Sequence, residues 1–416
     1  MDWPSVPLGH ITSKIGSGAT PRGGRNSYKT EGVALIRSLN VYDLEFDTSG
    51  LAYIDEEQAA QLDNVAVQPG DVLLNITGAS VARCALAPTA LLPARVNQHV
   101  AILRPLIEFL DSRFLVYSLV APRNKARLLA IAQGGATREA LTKRTLEEFD
   151  IPLPPLPVQR KIAAVLAAYD ELIENNLRRI EILEDMAQAV YREWFVNFRY
   201  PGHEDVPLVD SPLGPIPEGW KASTFGAIAA EVKDGVEPSS LEEVDVYIGL
   251  EHIPRESFTL IDFGSPSDVK SRKWRFEAGD VLFGRLRPYF HKVALARVAG
   301  VCSTDAIVIR PRKGFEDLVL QTAFSKEFVA HAVATSGGTD RPRAKWRDLR
   351  NFSVALPPGG LQEAFSEMVR PMVRLAQNLA RQNSNLRSTR DLLLPKLVSG
   401  EIDVSDLDID TDWLAA

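Results

Sequence analysis

The sequence predicts an α+β protein with two tandem α/β modules, each followed by a long helix, the helices packing as an antiparallel coiled coil. The first observation is an internal repeat. Towards the end of each copy the offset is 203 residues, as between Gly134 and Gly337 or Gln159 and Gln362. The second observation is a heptad pattern at the end of each copy. A duplication of this length indicates two similar units, which we expect to be related by a pseudo-two-fold axis.

Composition is that of an ordinary folded protein. With 416 residues, 45% hydrophobic and 24% charged, the chain is long enough for two or three domains. The segments 200–219 and 396–416 carry net charges of −4 and −5, which together exceed the −7 of the whole chain. The rest of the chain is close to neutral with local basic clusters. The acidic balance therefore does not exclude a nucleic-acid partner.

The two cysteines and the N-terminus indicate a cytoplasmic protein. Cys84 and Cys302 lie at places that are not equivalent in the repeat, so we expect reduced thiols. No apolar run reaches transmembrane length, so we expect no membrane association. The N-terminus lacks the basic start and apolar core of a signal peptide.

Both modules show short apolar runs separated by Gly and Pro, which is typical of strands. In the first module these runs are 33–36, 71–76 and 99–103, with a helical segment at 109–120. The second module repeats the pattern at 246–250, 280–283 and 305–309, with a helical segment at 318–335. The predicted organisation is an N-terminal module (1–157), a helix (158–199), an acidic linker (200–219), a C-terminal module (220–358), a second helix (359–398) and an acidic tail (399–416).

Each module ends in a proline-rich exit that we expect to be a stiff arm. Beyond it, apolar residues alternate at spacings of four and three over more than four heptads. A helix of about 40 residues is roughly 60 Å long, which suits a spacer between two modules. If the helices overlap symmetrically and antiparallel, Asn176 faces Asn383; the alternative is that each asparagine faces solvent or a partner helix. Pro371 and Pro395 are expected to kink or end the second helix.

The order of these parts resembles the specificity subunit of type I restriction-modification systems. The resemblance is carried by the segment 155–198, by Pro217-Glu218-Gly219-Trp220 at the entry to the second module, and by 393–410. The segment 280–311 resembles a target-recognition segment of that family. The match extends over essentially the whole chain.

This resemblance implies two target recognition domains, each reading one half of a bipartite, asymmetric sequence in double-stranded DNA. It further implies that the helices act as a ruler and bind two methyltransferase subunits, which bring S-adenosylmethionine. Two restriction subunits would bring ATP hydrolysis and Mg²⁺-dependent cleavage. The chain itself would bind no cofactor and catalyse nothing, and it would be found in the prokaryotic cytoplasm, associated with the nucleoid through DNA.

The residues agree with a binding protein. There is no phosphate-binding G-x-x-x-x-G-K-[ST] loop, no Asp/Asn-Pro-Pro-aromatic tetrapeptide of an amino-methyltransferase, and no metal-ligand spacing among the six histidines. Two alternatives stay open. One is a self-contained nuclease or methyltransferase with an unrecognised site, and the other is a coiled-coil scaffold that binds proteins.

The first candidate DNA contact is the loop 16–29, which combines glycines with Thr20, Arg22, Arg25 and Lys29. Glycines let a backbone approach phosphates, and arginine can pair with phosphate or with O6 and N7 of guanine. The alternative is a solvated loop.

The second candidate is a pair of segments, 75–83 and 285–292, that follow equivalent predicted strands. The first module contributes Thr77 and Arg83. The second module interleaves basic and aromatic residues, which suits contact with a groove and with phosphates, and an exposed hairpin is the alternative. Its candidates are Arg285, Arg287, Tyr289, His291 and Lys292.

The third pair is Gly-led and basic, at 134–144 and 337–347, beside the helices. We expect phosphate anchoring here, and helix capping by the threonines is the alternative. The candidates are Thr137, Arg138, Lys143, Thr339, Arg341, Arg343 and Lys345.

A final candidate precedes a strand in each module, at Gln98-His99 and Thr304-Asp305. Glutamine can read adenine, and aspartate can accept a hydrogen bond from N4 of cytosine. Gln98 is therefore a candidate base contact, and hydrogen bonding at the sheet edge is the alternative.

Overall fold

The structure is a computed structural model that describes residues 3–21, 23–134, 140–240, 246–265, 267, 269–337 and 340–415. Contacts between Cα atoms divide the chain into two compact units. Unit 1 comprises residues 1–172 and 386–416, and unit 2 comprises residues 173–385. Each long helix contributes one part to unit 1 and another part to unit 2.

Unit 1 is built on two sheets with helices packed against one of them. Its strands are β1 (Ser5–Pro7), β2 (Thr12–Ser17), β3 (Val33–Ile36), β4 (Ala52–Ile54), β5 (Val72–Asn75), β6 (Cys84–Leu86), β7 (Ala94–Val96), β8 (Val100–Pro105) and β9 (Asp150–Pro152). Its helices are α1 (Leu8–Ile11), α2 (Glu56–Gln61), α3 (Ser112–Val120), α4 (Pro122–Gln133), α5 (Lys143–Glu147) and the first part of α6 (Leu156–Tyr191).

Unit 2 repeats this plan. Its strands are β10 (Leu208–Val209), β11 (Ile216–Pro217), β12 (Lys221–Thr224), β13 (Ala229–Val232), β14 (Gly235–Val236), β15 (Tyr247–Ile248), β16 (Lys273–Phe276), β17 (Val281–Gly284), β18 (Val293–Leu295), β19 (Gly300–Cys302), β20 (Ala306–Pro311) and β21 (Ser353–Leu356). Its helices are α7 (Phe225–Ile228), α8 (Glu316–Phe324), α9 (Lys326–Ala334), α10 (Trp346–Leu349) and part of α11 (Gly359–Ser399). The predicted strands and helical segments are confirmed, with a break between α8 and α9 at Ser325.

The repeat is clearest in the main antiparallel sheet. Its strand order is β2-β8-β5-β6 in unit 1 and β13-β20-β17-β18 in unit 2. Side chains alternate between the faces of a strand, and both faces are covered. Val72 and Leu74 face the core shared with the helices, whereas Leu73 faces the second sheet. Burial on both faces explains why these strands read as unbroken apolar runs.

The second sheet differs between the units. It has the order β4-β3-β7 in unit 1 and β14-β16-β19-β15 in unit 2. One parallel pair is common to both, β3 with β7 and β15 with β19. The other strands join on different sides of this pair, so the duplication has diverged here.

An ion pair with a buried carboxylate supports the main sheet of each unit. Arg104 donates from Nε and Nη2 to the two carboxylate oxygens of Asp71, at 2.7 and 2.8 Å. Arg310 makes the same bidentate contact with Asp280 at 2.8 Å for both bonds. This contact explains why Gly70-Asp71 and Arg104-Pro105 of the first copy recur as Gly279-Asp280 and Arg310-Pro311 in the second.

The entry and exit of each module are paired. β1 pairs with β9 and β12 pairs with β21, both antiparallel. Gln159, at the start of α6, accepts from the amide of Asp111 at 2.9 Å and donates to the carbonyls of Phe109 and Pro154 at 2.8 Å. Gln362 reaches the carbonyl of Gly314 at 3.4 Å. The repeated glutamine therefore ties each long helix to its module.

The predicted antiparallel pairing of the long helices is confirmed within unit 2. Nδ2 of Asn176 donates to Oδ1 of Asn383 at 2.8 Å. At the other end of the same stretch the rings of Trp194 and Phe365 lie 5.9 Å apart. These contacts are the register that symmetric overlap predicts. In unit 1, Arg390 of α11 pairs with Asp170 of α6.

The expectation that proline ends the second helix is wrong. α11 is continuous from Gly359 to Ser399 and includes Pro371 and Pro395. Each proline removes one backbone hydrogen bond. Buried neighbours offset this loss, since Val369 and Val373 lie in the core of unit 2 and Leu394 and Leu397 lie in that of unit 1.

The acidic tail packs against unit 1 through its apolar residues. Val404 is buried in the core of unit 1, and Ile402 and Ile409 pack against the same core. Nζ of Lys161 donates to the carbonyl of Ser405 at 2.7 Å. The tail alternates acidic and apolar residues, and the apolar ones anchor it to the N-terminal unit.

The remaining expectations concern thiols and membranes. Cys84 and Cys302 are buried free thiols, and burial raises the pKa of Cys302 to about 12. Across the described ranges, no helix has both the length and the apolar character needed to cross a bilayer.

Candidate nucleic-acid interface

Three of the predicted segments of unit 1 meet beyond the end of β5. The amide of Ile76 donates to the carbonyl of His99 at 2.9 Å, and the amide of Leu141 donates to the carbonyl of Ile76 at 2.8 Å. Thr77 and Ala140 form an isolated antiparallel bridge. The segment after β5, the turn before β8 and the segment entering α5 therefore share one edge of the unit.

A chain of side-chain hydrogen bonds runs along this edge. Oγ1 of Thr20 donates to Oε1 of Gln98. Nε2 of Gln98 lies 3.2 Å from Nε2 of His99, and Nδ1 of His99 lies 2.6 Å from Oγ1 of Thr77. An amide nitrogen only donates, so Nε2 of His99 accepts and Nδ1 carries the proton. The predicted residues Thr20, Thr77 and Gln98 are thus brought together by a histidine.

An open groove of about 460 Å³ lies beside this chain, and Thr77, Arg83 and His99 are among its lining residues. The guanidinium of Arg83 lies over the ring of Tyr42, 4.7 Å from its centroid. Tyr42 and Leu39 line the groove and are 39% and 42% exposed. Exposed aromatic and apolar groups beside a cation suit stacking on bases.

Sequence reasoning did not find Tyr42 and Leu39. They follow β3, far along the chain from the other groove residues, and no repeated feature marks them. The sequence did place His99 beside Gln98, but gave no signal that its ring links Gln98 to Thr77.

Two other candidates of unit 1 lie elsewhere. Nζ of Lys29 pairs with Asp55 at 3.3 Å, and Nζ of Lys143 pairs with Glu147 at 3.5 Å. Lys143 lines a separate cavity of about 540 Å³ with Lys14. Outside the described residues lie Arg22, Thr137, Arg138 and the Arg25 side chain.

Unit 2 brings the equivalent segments together by the same backbone contacts. The amide of Arg285 donates to the carbonyl of Asp305 at 2.8 Å, and the amide of Ala344 donates to the carbonyl of Arg285 at 2.9 Å. The amide of Arg287 donates to the carbonyl of Pro342 at 2.8 Å. The side chains of Arg343 and Asp305 form an ion pair, Nη1 to Oδ1, at 3.2 Å.

The basic and aromatic segment of unit 2 forms a tight turn. Arg287 and His291 adopt left-handed backbone angles, with φ of 52° and 50°, on either side of a short 3-10 turn. Tyr289 is 52% exposed and its ring contacts that of Phe290 at 4.8 Å between centroids. The guanidinium of Arg255 lies over the ring of Phe290, 4.0 Å from its centroid.

Two candidates in this turn have protein partners. Nε2 of His291 donates to the carbonyl of Phe324 at 2.7 Å, and burial lowers the pKa of His291. Nζ of Lys292 donates to the carbonyl of Leu250, and burial lowers the pKa of Lys292. The side chains of Arg285 and Arg287 each bury an Nε that has no hydrogen-bond partner among the described residues.

Arg341 and Lys345 are exposed, and neither side chain pairs with another residue in the described part of the chain. Thr339 lies outside that part. Solvated cations without a carboxylate partner suit phosphate contact. Within the described ranges, no group of three or more His, Cys, Asp or Glu is arranged to hold a metal ion.

Comparison with known proteins places these features in a family context. Residues 2–185 match the family model described as type I restriction modification DNA specificity domain. The chain is 25% identical over 425 residues to the type I restriction enzyme MjaIX specificity subunit of Methanocaldococcus jannaschii, covering 98% of this chain and 95% of that relative. It is 22% identical over 332 residues to the EcoDI specificity subunit of Escherichia coli, covering 73% of each chain.

One solved structure is similar over nearly the whole length. It is the type I restriction-modification system S subunit from M. genitalium, with a TM-score of 0.55 and 17% sequence identity. The alignment covers 95% of this chain and 96% of that chain. At this identity the match shows the fold.

Proposed function

The chain is a specificity subunit of the type I restriction-modification family, and on this premise we propose that each of its units reads one half of a bipartite DNA sequence. The chain is the recognition subunit of the enzyme and not its catalytic one. The proposal assigns one half-site to the edge of unit 1 around Thr77 and the other to the edge of unit 2 around Arg343.

One observation carries this proposal. Equivalent backbone hydrogen bonds join three segments in each unit. They are the segment after β5 or β17, the turn before β8 or β20, and the segment that leads into α5 or α10. A common frame thus presents different side chains, Thr77, Gln98 and His99 in unit 1 and Arg285, Asp305 and Arg343 in unit 2. Two copies of one frame with different polar groups suit two different base sequences.

We also propose that the long helices bind the methyltransferase subunits. Within unit 2, α6 exposes Ile182 and Met186, one turn apart, and α11 exposes Met368 and Leu375. Exposed apolar residues along a helix pair suit a protein interface. By contrast, Trp194 and Phe195 are buried and pack within the unit.

The resemblance to the family also suggests which other subunits complete the enzyme. We propose two methyltransferase subunits that bind S-adenosylmethionine, and restriction subunits that use ATP and Mg²⁺. The assembly would act on DNA in the cytoplasm, associated with the nucleoid.

A salt titration of DNA binding tests the role of unit 2. The double variant R341A/K345A, assembled with methyltransferase subunits, is compared with the wild-type complex. Each lost phosphate contact reduces the slope of log K against log salt by about 0.9, so we expect weaker binding and a slope smaller by roughly 2. A matched control is Lys313→Ala, an exposed lysine beyond the other end of β20.

Binding of the wild-type complex with no salt dependence, or an unchanged slope in the double variant, would contradict the assignment of phosphate contacts to this edge. A wild-type complex that does not bind DNA at all would contradict the proposed function itself.

A further inference from the structure

One position in the fold carries different chemistry in the two units. The carbonyl of His99 accepts from the amide of Ile76 at 2.9 Å, and the carbonyl of Asp305 accepts from the amide of Arg285 at 2.8 Å. Both residues directly precede equivalent strands, β8 and β20. The same backbone geometry therefore presents an imidazole in unit 1 and a carboxylate in unit 2.

The carboxylate of Asp305 holds an arginine. Oδ1 of Asp305 lies 3.2 Å from Nη1 of Arg343, and the amide of Arg343 donates to the carbonyl of Gly337 at 3.2 Å. The arginine is thus fixed at its backbone and at one guanidinium nitrogen. Its side chain remains 51% exposed, and a guanidinium has five N–H donors. Several donors therefore remain available to a ligand.

The pair is better suited to a base than to a phosphate. A phosphate beside Arg343 would also lie near the carboxylate of Asp305, which repels it. Base edges carry no such charge, and guanine presents two adjacent acceptors, O6 and N7, that match two parallel N–H donors. The unpaired Arg341 and Lys345 nearby supply the cations that phosphates need.

From these contacts we propose that Arg343 reads a guanine in the half-site of unit 2, and that Asp305 is the positioning residue that orients its guanidinium. This inference rests on the proposed function of unit 2. It assigns one base pair of the target by chemistry, whereas the proposed function assigns only the half-site.

At the position equivalent to Arg343, unit 1 has Ala140. His99 is bonded to Thr77 and Gln98. The first half-site is therefore read there by polar groups without a bidentate guanidinium. The difference between His99 and Asp305 makes the two half-sites unlike.

Sequencing of methylated DNA tests this inference. The complex of the chain with its methyltransferase subunits modifies a library of random DNA, and the modified molecules are sequenced. For Arg343→Ala we expect the preference for one G·C pair in one half-site to fall about 10-fold or more, the effect of losing a bidentate contact. The other half-site keeps its wild-type preferences.

Two conservative variants separate readout from folding. Asp305→Asn keeps the size of the side chain, and Arg343→Lys keeps the positive charge but not the fork of donors. Both variants should reduce the preference for the same G·C pair, while the complex still methylates DNA. The matched control R341A/K345A should weaken binding to all sequences equally.

The inference would be overturned if Asp305→Asn and Arg343→Lys kept the wild-type base preference at every position of the target. It would also be overturned if the preference were lost at an A·T pair instead of a G·C pair. A wild-type complex whose methylation shows no two-part sequence would instead overturn the proposed function, so the two failures are distinguishable.

Discussion

Asn176 and Asn383 form a buried amide pair between the long helices, with Nδ2 of Asn176 donating to Oδ1 of Asn383 at 2.8 Å. Nδ2 of Asn383 in turn donates to the carbonyl of Ile173 at 3.1 Å. A buried asparagine pair of this kind costs stability relative to leucine and selects one register, because any other register leaves the amides without partners.

Replacing one member of this pair should be destabilising. We expect Asn383→Ala to lower the free energy of unfolding by about 1–3 kcal/mol, because it leaves Asn176 and the carbonyl of Ile173 without their partner. Urea denaturation followed by circular dichroism measures the change. Gln382→Ala, at an exposed neighbour on the same helix, serves as the control and should change little.

The double variant N176L/N383L should behave differently. It removes both polar groups, so we expect stability to be kept or increased while the register is no longer unique. A single disulfide introduced across the wild-type register would then form less completely in this variant. Full crosslinking at the wild-type rate would show that the asparagines do not set the register.

The bidentate ion pair of each unit should contribute to stability. Asp71→Asn removes the buried carboxylate that pairs with Arg104, and we expect it to cost about 3 kcal/mol. Asp280→Asn should cost less, because Arg310 is 38% exposed and keeps its pair with Glu277. Thermal unfolding measures both. Glu147→Gln breaks the exposed pair with Lys143 and should cost no more than about 0.5 kcal/mol. Equal small losses in all three variants would contradict a structural role for the repeated pair.

Glu184 should make stability depend on pH. It is buried on α6, accepts hydrogen bonds from Oγ of Ser257 at 3.0 Å and from the amide of Phe258 at 3.1 Å, and burial raises its pKa to about 7. The folded chain therefore holds a proton that the unfolded chain releases near pH 4.5. The contribution of Glu184 to stability falls as the pH rises from about 4.5 to about 7.

Glu184→Gln mimics the protonated carboxyl and should remove this dependence. We expect the variant to be more stable than the wild type above pH 7, by up to about 3 kcal/mol, and similar to it below pH 4.5. Denaturation curves measured across this range give the comparison. A wild type whose stability is flat over the range, or a variant that is less stable at pH 8, would contradict the assignment.

The tail should stabilise unit 1. Val404→Ala leaves a cavity in its core, and we expect a loss of about 1–3 kcal/mol. Leu407 lies three residues further and is 52% exposed, so Leu407→Ala is the control and should be close to neutral. Hydrogen exchange of amides in α3 and α6 should report the difference. No change in Val404→Ala would mean that the tail is only loosely attached.

Much of the fold could be predicted from the sequence. The heptad period predicted two long helices and the pairing of Asn176 with Asn383, because helix geometry fixes which side chains share a face. The repeat predicted two units with matching main sheets. Strands such as β5 were recognisable because burial on both faces gives an unbroken apolar run, Val72-Leu73-Leu74.

Other features depend on long-range packing that local patterns do not contain. The prolines of α11 predicted an interruption of the helix. The helix is continuous because residues next to each proline are buried in the core of unit 1 or unit 2. The burial of Val404 was not predicted, because acidic residues alternate with the buried apolar residues of the tail. The second sheet joins short strands from distant parts of the chain, and its order differs between the units.

The structure brings the predicted segments of the candidate interface together within each unit, but the contacts of single residues were not predictable from the sequence. Glycine, basic residues and turn positions marked the three pairs of segments, and the structure joins them within each unit. Partners were not predictable: His291 and Lys292 bond to backbone carbonyls, Arg343 bonds to Asp305, and Tyr42 lies beside Arg83 because β3 ends near β5. Such contacts follow from tertiary geometry.

The most direct test of the account is to map methylated bases in genomic DNA from cells with this gene and from cells in which it is deleted. The account predicts gene-dependent methylation at one asymmetric sequence made of two defined half-sites and an undefined spacer of fixed length. Methylation that is unchanged on deletion, or gene-dependent methylation of a single continuous sequence, would contradict it.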